Sequence, residues 1–287
     1  MIEDSAVSDT ADQEIQERRV TIDGRSIFFR ECGQGPPVLL LHGWPTSSAL
    51  WRNIMPHLAS SRRAIAVDLP GFGHSDKPLD VVYSQGFFSD FLDHFCEEIG
   101  IEEDLALVVH DMGGPVGLYW ASRRGQPLER LAILNTLVYP ELSWMARAFL
   151  FAAKLPGARP LLASPFGVAG ALRFGTYRSR QVAPDARATF EAPVQTREDQ
   201  RALLNTINDL ELETLKEIAE WIPSLECPVR IIRGAKDRIL PGMPRTTERL
   251  QQDLPQADAF VIDNCGHFLQ EERPDEIGTL LADFFAD

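Results

Sequence analysis

Leu105-Ala106-Leu107-Val108-Val109-His110-Asp111-Met112-Gly113-Gly114-Pro115-Val116-Gly117 is the stretch whose reading decides the fold. An apolar, β-prone run enters a tight Gly-rich turn, and the helix-compatible Gly117-Leu118-Tyr119-Trp120-Ala121 leaves it. Strand, elbow and helix in that order expose a nucleophile on a strained turn at the top of a sheet. The ordinary reading is a plain loop, because Gly- and Asp-containing turns after strands are common. Val109 also stands where a Gly-x-nucleophile-x-Gly pattern has its first small residue. A serine at the elbow suggests acyl transfer at a carbonyl. A carboxylate there, Asp111, suggests attack on a saturated or epoxide carbon, leaving an alkyl ester on the protein.

The surroundings repeat that alternation. Residues 19–22 and 26–32 flank the turn Asp23-Gly24 and read as a hairpin, and 37–41 is a short apolar strand running into His42-Gly43. Helix signals cover 51–59, and 63–67 reads as a strand. Ser84 caps a helix whose Phe87, Phe88, Phe91, Leu92, Phe95, Cys96 and Ile99 recur at helical spacing, a core stripe. Further strands are expected at 131–134, 228–233 and 259–262, with a closing helix over 275–285. The fold class is therefore α/β, a mostly parallel sheet flanked by helices, with ligands bound beyond the carboxyl ends of the strands. His42, Asp111, Asn135, Asp237 and His267 all fall at or just after such strand ends.

The long segment 137–223 shows no strand but carries helix-like runs at 142–154 and 200–222. It reads as a helical cap inserted in a core of 19–136 and 224–287, because a structureless loop of that length is improbable. Phe149, Phe151, Leu161, Leu162, Phe166 and Phe174 are candidates to line an apolar pocket beneath it, or simply to pack cap on core. Residues 1–18 are acidic and polar and read as a disordered leader.

Two further motifs follow strands. Asp237, in Arg233-Gly234-Ala235-Lys236-Asp237, sits where an orienting acid is needed, its ordinary alternative being an Asx turn. His267 follows in Asp263-Asn264-Cys265-Gly266-His267-Phe268. Nucleophile, acid and histidine then stand in the chain order of the α/β-hydrolases. His267 would activate water, oriented through Nδ1 by Asp237. The backbone N–H groups of Trp44 and Met112 would form an oxyanion hole.

The stretch from His42-Gly43-Trp44-Pro45-Thr46-Ser47-Ser48 to Leu50-Trp51-Arg52-Asn53-Ile54 closely resembles the haloalkane dehalogenases. So do Gly73-His74-Ser75-Asp76-Lys77-Pro78, His110-Asp111-x-Gly113 and Gly266-His267-Phe268-Leu269-Gln270-Glu271, and the epoxide hydrolases are next nearest. The resemblance implies Asp111 as nucleophile, His267 as base and Asp237 as acid. Asn135 holds the position where some dehalogenases place the acid instead. It also implies two side-chain halide donors, an Asn at the position of Trp44 and a Trp at that of Met112, and neither is present. Trp44 through its indole and Trp144 from the cap are the candidate replacements. Epoxide opening would need acid tyrosines, for which Tyr139 and Tyr177 are candidates, while Phe190 fills a cap position where a tyrosine would be sought.

Composition bounds the partners. Of 287 residues 44% are apolar, ample for a large core, and the net charge of −14 argues against nucleic acid or an anionic membrane. Cys32, Cys96, Cys227 and Cys265 are scattered and read as reduced thiols rather than two disulfides. No metal or organic cofactor is implied. There is neither a signal-peptide pattern nor an uninterrupted apolar span, so a cytoplasmic protein acting on a small apolar substrate and water is expected. Release of halide and alcohol from haloalkanes is the first reading, and diol formation from epoxides the second. An ester or lactone hydrolase, or a ligand-binding protein without turnover, remains open.

Overall fold

The computed structural model describes residues 14–101, 104–178 and 184–286. Its strands are β1 (Gln16–Ile22), β2 (Arg25–Cys32), β3 (Pro37–Leu41), β4 (Arg63–Val67), β5 (Ala106–Asp111), β6 (Arg130–Thr136), β7 (Val229–Gly234) and β8 (Asp258–Ile262). They form one eight-stranded sheet in the order β1-β2-β4-β3-β5-β6-β7-β8. The β1–β2 and β2–β4 pairs are antiparallel, and every other pair is parallel. Parallel strands covered on both faces read as unbroken apolar runs, and β3 and β5 at the centre are buried from Val38 to Leu41 and from Ala106 to His110.

The helices are α1 (Met55–Leu58), α2 (Gln85–Glu98), α3 (Gly113–Arg123), α4 (Trp144–Lys154), α5 (Arg159–Leu162), α6 (Pro165–Gly175), α7 (Pro184–Glu191), α8 (Arg197–Asn208), α9 (Thr214–Trp221), α10 (Met243–Asp253), α11 (Leu269–Glu272) and α12 (Pro274–Phe285). Ser84 caps α2, its Oγ accepting the Phe87 N–H at 3.1 Å, and Phe88, Phe91, Leu92, Phe95 and Cys96 are buried beneath it. Between β6 and β7 the described residues contain helices α4 to α9 and no strand.

Three local expectations differ from the structure. The helix expected over 51–59 is a 3-10 turn (Ser48–Trp51) followed by the short α1, which Pro56 can only begin because it lacks an N–H. The run 200–222 is broken between α8 and α9. There the Gln85 side chain takes both backbone groups of Glu211, donating to its carbonyl at 3.0 Å and accepting its N–H at 2.9 Å. Of the leader expected over 1–18, residues 1–13 lie outside the described residues. Gln16, Glu17 and Arg18 pair instead with Glu31, Arg30 and Phe29 in the β1–β2 hairpin. Their side chains are exposed on an edge strand, so no apolar alternation marks them.

Candidate active site

Asp111 ends β5 with φ of 51°, a left-handed conformation that a non-glycine residue adopts at a cost and that turns the carboxylate up from the sheet. The register of β5 against β6 shifts between His110 and Asp111, so Asp111 pairs with Thr136, whose hydroxyl donates to its carbonyl. Two glycines make room for the elbow. A Cβ on Gly43 would stand 2.2 Å from Asp111 Cβ, and one on Gly113 2.5 Å from the Leu41 carbonyl oxygen. The Trp44 N–H donates to Asp111 Oδ1 at 2.7 Å.

His267 is buried on the loop after β8, with Nδ1 2.9 Å from Asp237 Oδ2 and Nε2 3.2 Å from Asp111 Oδ2. The second contact is ion-pair distance but off the line of a good hydrogen bond. Asp237 is itself anchored, its Oδ1 accepting the N–H groups of Ile239 and Leu240 at 2.8 Å each. Asp237 thus makes the Asx turn and faces the imidazole at once, using one oxygen for each. Burial disfavours an imidazolium, yet the flanking carboxylates of Asp237 and Asp111 outweigh it and raise His267 to about 10. Burial likewise opposes a charged Asp111, but the contact with His267 holds its carboxyl below the usual range. Neighbouring His110 is lowered to about 4 by burial and then by His267, so it stays neutral.

A cavity of about 390 Å³ opens above Asp111. Its lining is apolar apart from Asp111 and the Trp44 indole, with Met145, Phe149 and Leu150 of α4 and Phe166, Ala171 and Phe174 of α6 among its walls. Leu161 and Leu162 line it as expected, but Phe151 does not and is 66% exposed. Helix α4 runs along the cavity wall, so Phe149 faces in and Phe151, two residues on, faces out.

A family model described as alpha/beta hydrolase fold matches residues 36–274. The chain is 31% identical to a haloalkane dehalogenase of Sphingobium indicum over 94% of its own length and 95% of the relative's. The chain belongs to the haloalkane dehalogenase-like α/β-hydrolase family. The crystal structure of haloalkane dehalogenase DbeA from Bradyrhizobium elkani superposes with a TM-score of 0.84 at 27% identity, covering 95% of this chain and 98% of that one. A cis-3-alkyl-4-alkyloxetan-2-one decarboxylase of Shewanella oneidensis is 26% identical over 92% of this chain and 86% of its own.

Against that family the supporting candidates divide sharply. Met112 lines the cavity with a thioether, which has no donor. The Trp44 indole N–H is turned to the Leu203 carbonyl at 3.3 Å, tying the loop to α8 instead of facing a leaving group. Trp144, expected as a leaving-group donor, is instead 70% exposed on the outward side of α4 and no part of the cavity. Neither Tyr139 nor Tyr177, the expected acids for epoxide opening, lines the cavity. The Tyr139 hydroxyl donates to Asp253 at 2.7 Å, and its ring lies under Arg249. Tyr177 is outside the cavity lining and borders a surface hollow with Arg173 and Arg238 that adjoins the cavity at Gly170 and Phe174. Phe190 is buried away from the cavity.

The sequence reading missed the struts of the histidine loop. Asn135 Nδ2 donates to the carbonyls of Gly266 and His267, both at 3.0 Å, so it holds the loop backbone and does not touch the ring. His110 Nε2 reaches the same His267 carbonyl at 3.0 Å. Glu272 accepts the N–H groups of Gly266, Tyr177 and Arg178 at 2.7, 2.8 and 3.2 Å. Glu271 makes a buried two-point pair with Arg52. Two adjacent acids followed by the helix of an apolar C-terminus were the available signal, but they look like a solvated face.

Proposed function

We propose that this haloalkane dehalogenase-like hydrolase works through a covalent Asp111 alkyl ester and releases halide and alcohol from small apolar haloalkanes. One observation carries the reading. The Asp111 carboxylate is held by the Trp44 N–H on one oxygen and faces His267 with the other, beneath a cavity with almost no other polar group.

In the first step an ionised Asp111 oxygen attacks the carbon bearing halogen. The new C–O bond forms as the carbon–halogen bond breaks, and halide leaves with the electron pair. In the second, water gives a proton to His267 Nε2 and attacks the ester carbonyl. The resulting oxyanion lies against the backbone N–H groups of Trp44 and Met112. Collapse passes the hydroxyl proton to the departing alkoxide, releases the alcohol and regenerates the carboxylate beside the imidazolium, whose proton goes to solvent when the next ester forms. Asp237 supports the imidazolium that forms. The sheet with its flanking helices, β1 to β6 and β7 to α12, acts as the reacting core, and α4 to α9 as its cap. All four cysteines are free, as a reducing cytoplasm leaves them. Epoxide opening is less well supported, because neither Tyr139 nor Tyr177 lines the cavity.

A trapping experiment tests the two steps. Wild-type protein is first screened on 1,2-dibromoethane, styrene oxide and a p-nitrophenyl ester. On an accepted bromoalkane, His267→Phe should release one equivalent of bromide and retain the alkyl group, which intact mass and peptide mapping place on Asp111. Asp111→Ala should release none. An adduct on another residue sinks the nucleophile assignment, and multiple turnovers by His267→Phe sink the two-step scheme.

A further inference from the structure

We propose that the outer face of α4 to α6, around the cavity mouth, docks on an anionic lipid surface. Such docking does not depend on the reaction assigned to Asp111. Helix α4 is apolar on two sides. Met145, Phe149 and Leu150 line the cavity, while Trp144, Phe151 and the adjoining Leu155 point outward at helical spacing and are 70%, 66% and 42% exposed. Across the mouth, Leu161, Phe166 and Phe174 belong to the cavity lining and are exposed as well, Phe166 to 73%. Large aromatic side chains concentrated on one exposed stretch mark an interaction surface.

Charge selects the occupant. The whole chain carries −14, yet residues 142–178 hold five cations, Arg147, Lys154, Arg159, Arg173 and Arg178, and no Asp or Glu. None of the five is in an ion pair among the described residues. A second copy in a two-fold contact would set these cations against their own equivalents, which is repulsive. An anionic bilayer instead matches both features at once: aromatic and leucine side chains enter the headgroup boundary, and Arg and Lys pair with lipid phosphates. No helix among the described residues is long and apolar enough to cross a membrane, so attachment is to the surface. The local reversal of charge overrides the expectation drawn from the net value. Because the mouth lies within the docking face, an apolar substrate dissolved in lipid would reach Asp111 without crossing bulk water.

Flotation of the full chain with vesicles tests this. Protein should float with vesicles of phosphatidylglycerol and phosphatidylcholine, stay behind with phosphatidylcholine alone, and detach as salt is raised. Trp144→Ser with Phe151→Ser, and separately Arg147→Glu with Lys154→Glu, should each cut the bound fraction by about tenfold or more, since the first removes two inserted aromatic side chains and the second reverses two lipid-paired cations. None of these four residues lines the cavity, so turnover of a water-soluble substrate should stay unchanged in both variants. No flotation of the wild type, or flotation unaffected by both double variants, overturns the proposal. So does a concentration-dependent dimer in sedimentation that the Phe151 substitution dissolves without lipid present.

Discussion

His267 Nε2 lies 3.2 Å from Asp111 Oδ2, with a second carboxylate, that of Asp237, 2.9 Å from Nδ1. An imidazole between two anions is protonated at rest, and burial is not enough to reverse this. Alkylation in the proposed mechanism would neutralise Asp111 and remove one of the two anions, so the His267 pKa should fall as the ester forms. The base is thereby released only when it is needed. In the free protein, imidazole NMR should show His267 charged at neutral pH and titrating toward about 10. Hydrolysis of the ester, measured in single turnover, should rise with pH through a distinctly lower value. The stability linkage has the matching sign. A folded value above the ordinary one contributes fully below the usual histidine range and is lost as pH rises through about 10. A neutral His267 at pH 7 in the free protein refutes this account.

The leaving group should decide the rate. With Met112 offering no donor and the Trp44 indole bonded to Leu203, a halide leaving in the proposed reaction would have no side-chain N–H support from either residue. A charge-assisted donor contributes roughly 1.5–3 kcal/mol, or about one to two decades in rate. Bromoalkanes should therefore far outpace matched chloroalkanes. Met112→Trp should raise chloroalkane turnover by about tenfold or more. Trp44→Asn adds a donor but removes the tie to α8, so it should help less alone. Equal rates on chloro- and bromoalkanes with chemistry rate-limiting would count against this.

The elbow, the strand ends and the order of Asp111, Asp237 and His267 were legible because each is a local pattern, an apolar run broken by turn residues. The direction a side chain takes from a helix was not. Trp144, Tyr139 and Tyr177 have the right chemistry and lie in the right segment, but α4 turns Trp144 outward and Asp253 claims Tyr139. The histidine-loop struts were hidden for the same reason. Asn135 and Glu272 bond to backbone groups of segments remote in sequence, which no spacing rule reports.

Removing the tyrosine hydroxyls separates packing from catalysis. Tyr139→Phe should leave turnover of every accepted substrate unchanged while lowering stability by about 1.5–3 kcal/mol, from the lost bond to the Asp253 carboxylate. Tyr177→Phe should change neither, since Tyr177 is outside the cavity lining. A loss of diol formation by about a hundredfold in either variant, measured on an accepted epoxide, would restore the epoxide reading.

Glu272 should govern both the stability of the fold and the second chemical step. Its buried carboxylate is the acceptor for three backbone N–H groups, one beside His267 and two just past the end of α6. The same junction is drawn tight by the His267 N–H, which donates to the Gly175 carbonyl at 2.7 Å, and by Gly266, where a Cβ would stand 2.2 Å from that oxygen. Glu272→Ala leaves the three donors without an acceptor, and urea denaturation should show a loss of about 3 kcal/mol or more. Glu272→Gln keeps the shape but replaces one acceptor oxygen with a donor, so an intermediate loss is expected. The kinetic consequence distinguishes a positioning residue from a merely structural one. Attack by Asp111 needs no histidine, so the halide burst should keep its rate in the Gln variant. Release of alcohol needs His267 held in line with water, so that step should slow by about tenfold or more as the loop loosens. If both steps keep wild-type rates while stability falls, Glu272 supports the fold alone and has no hold on the imidazole.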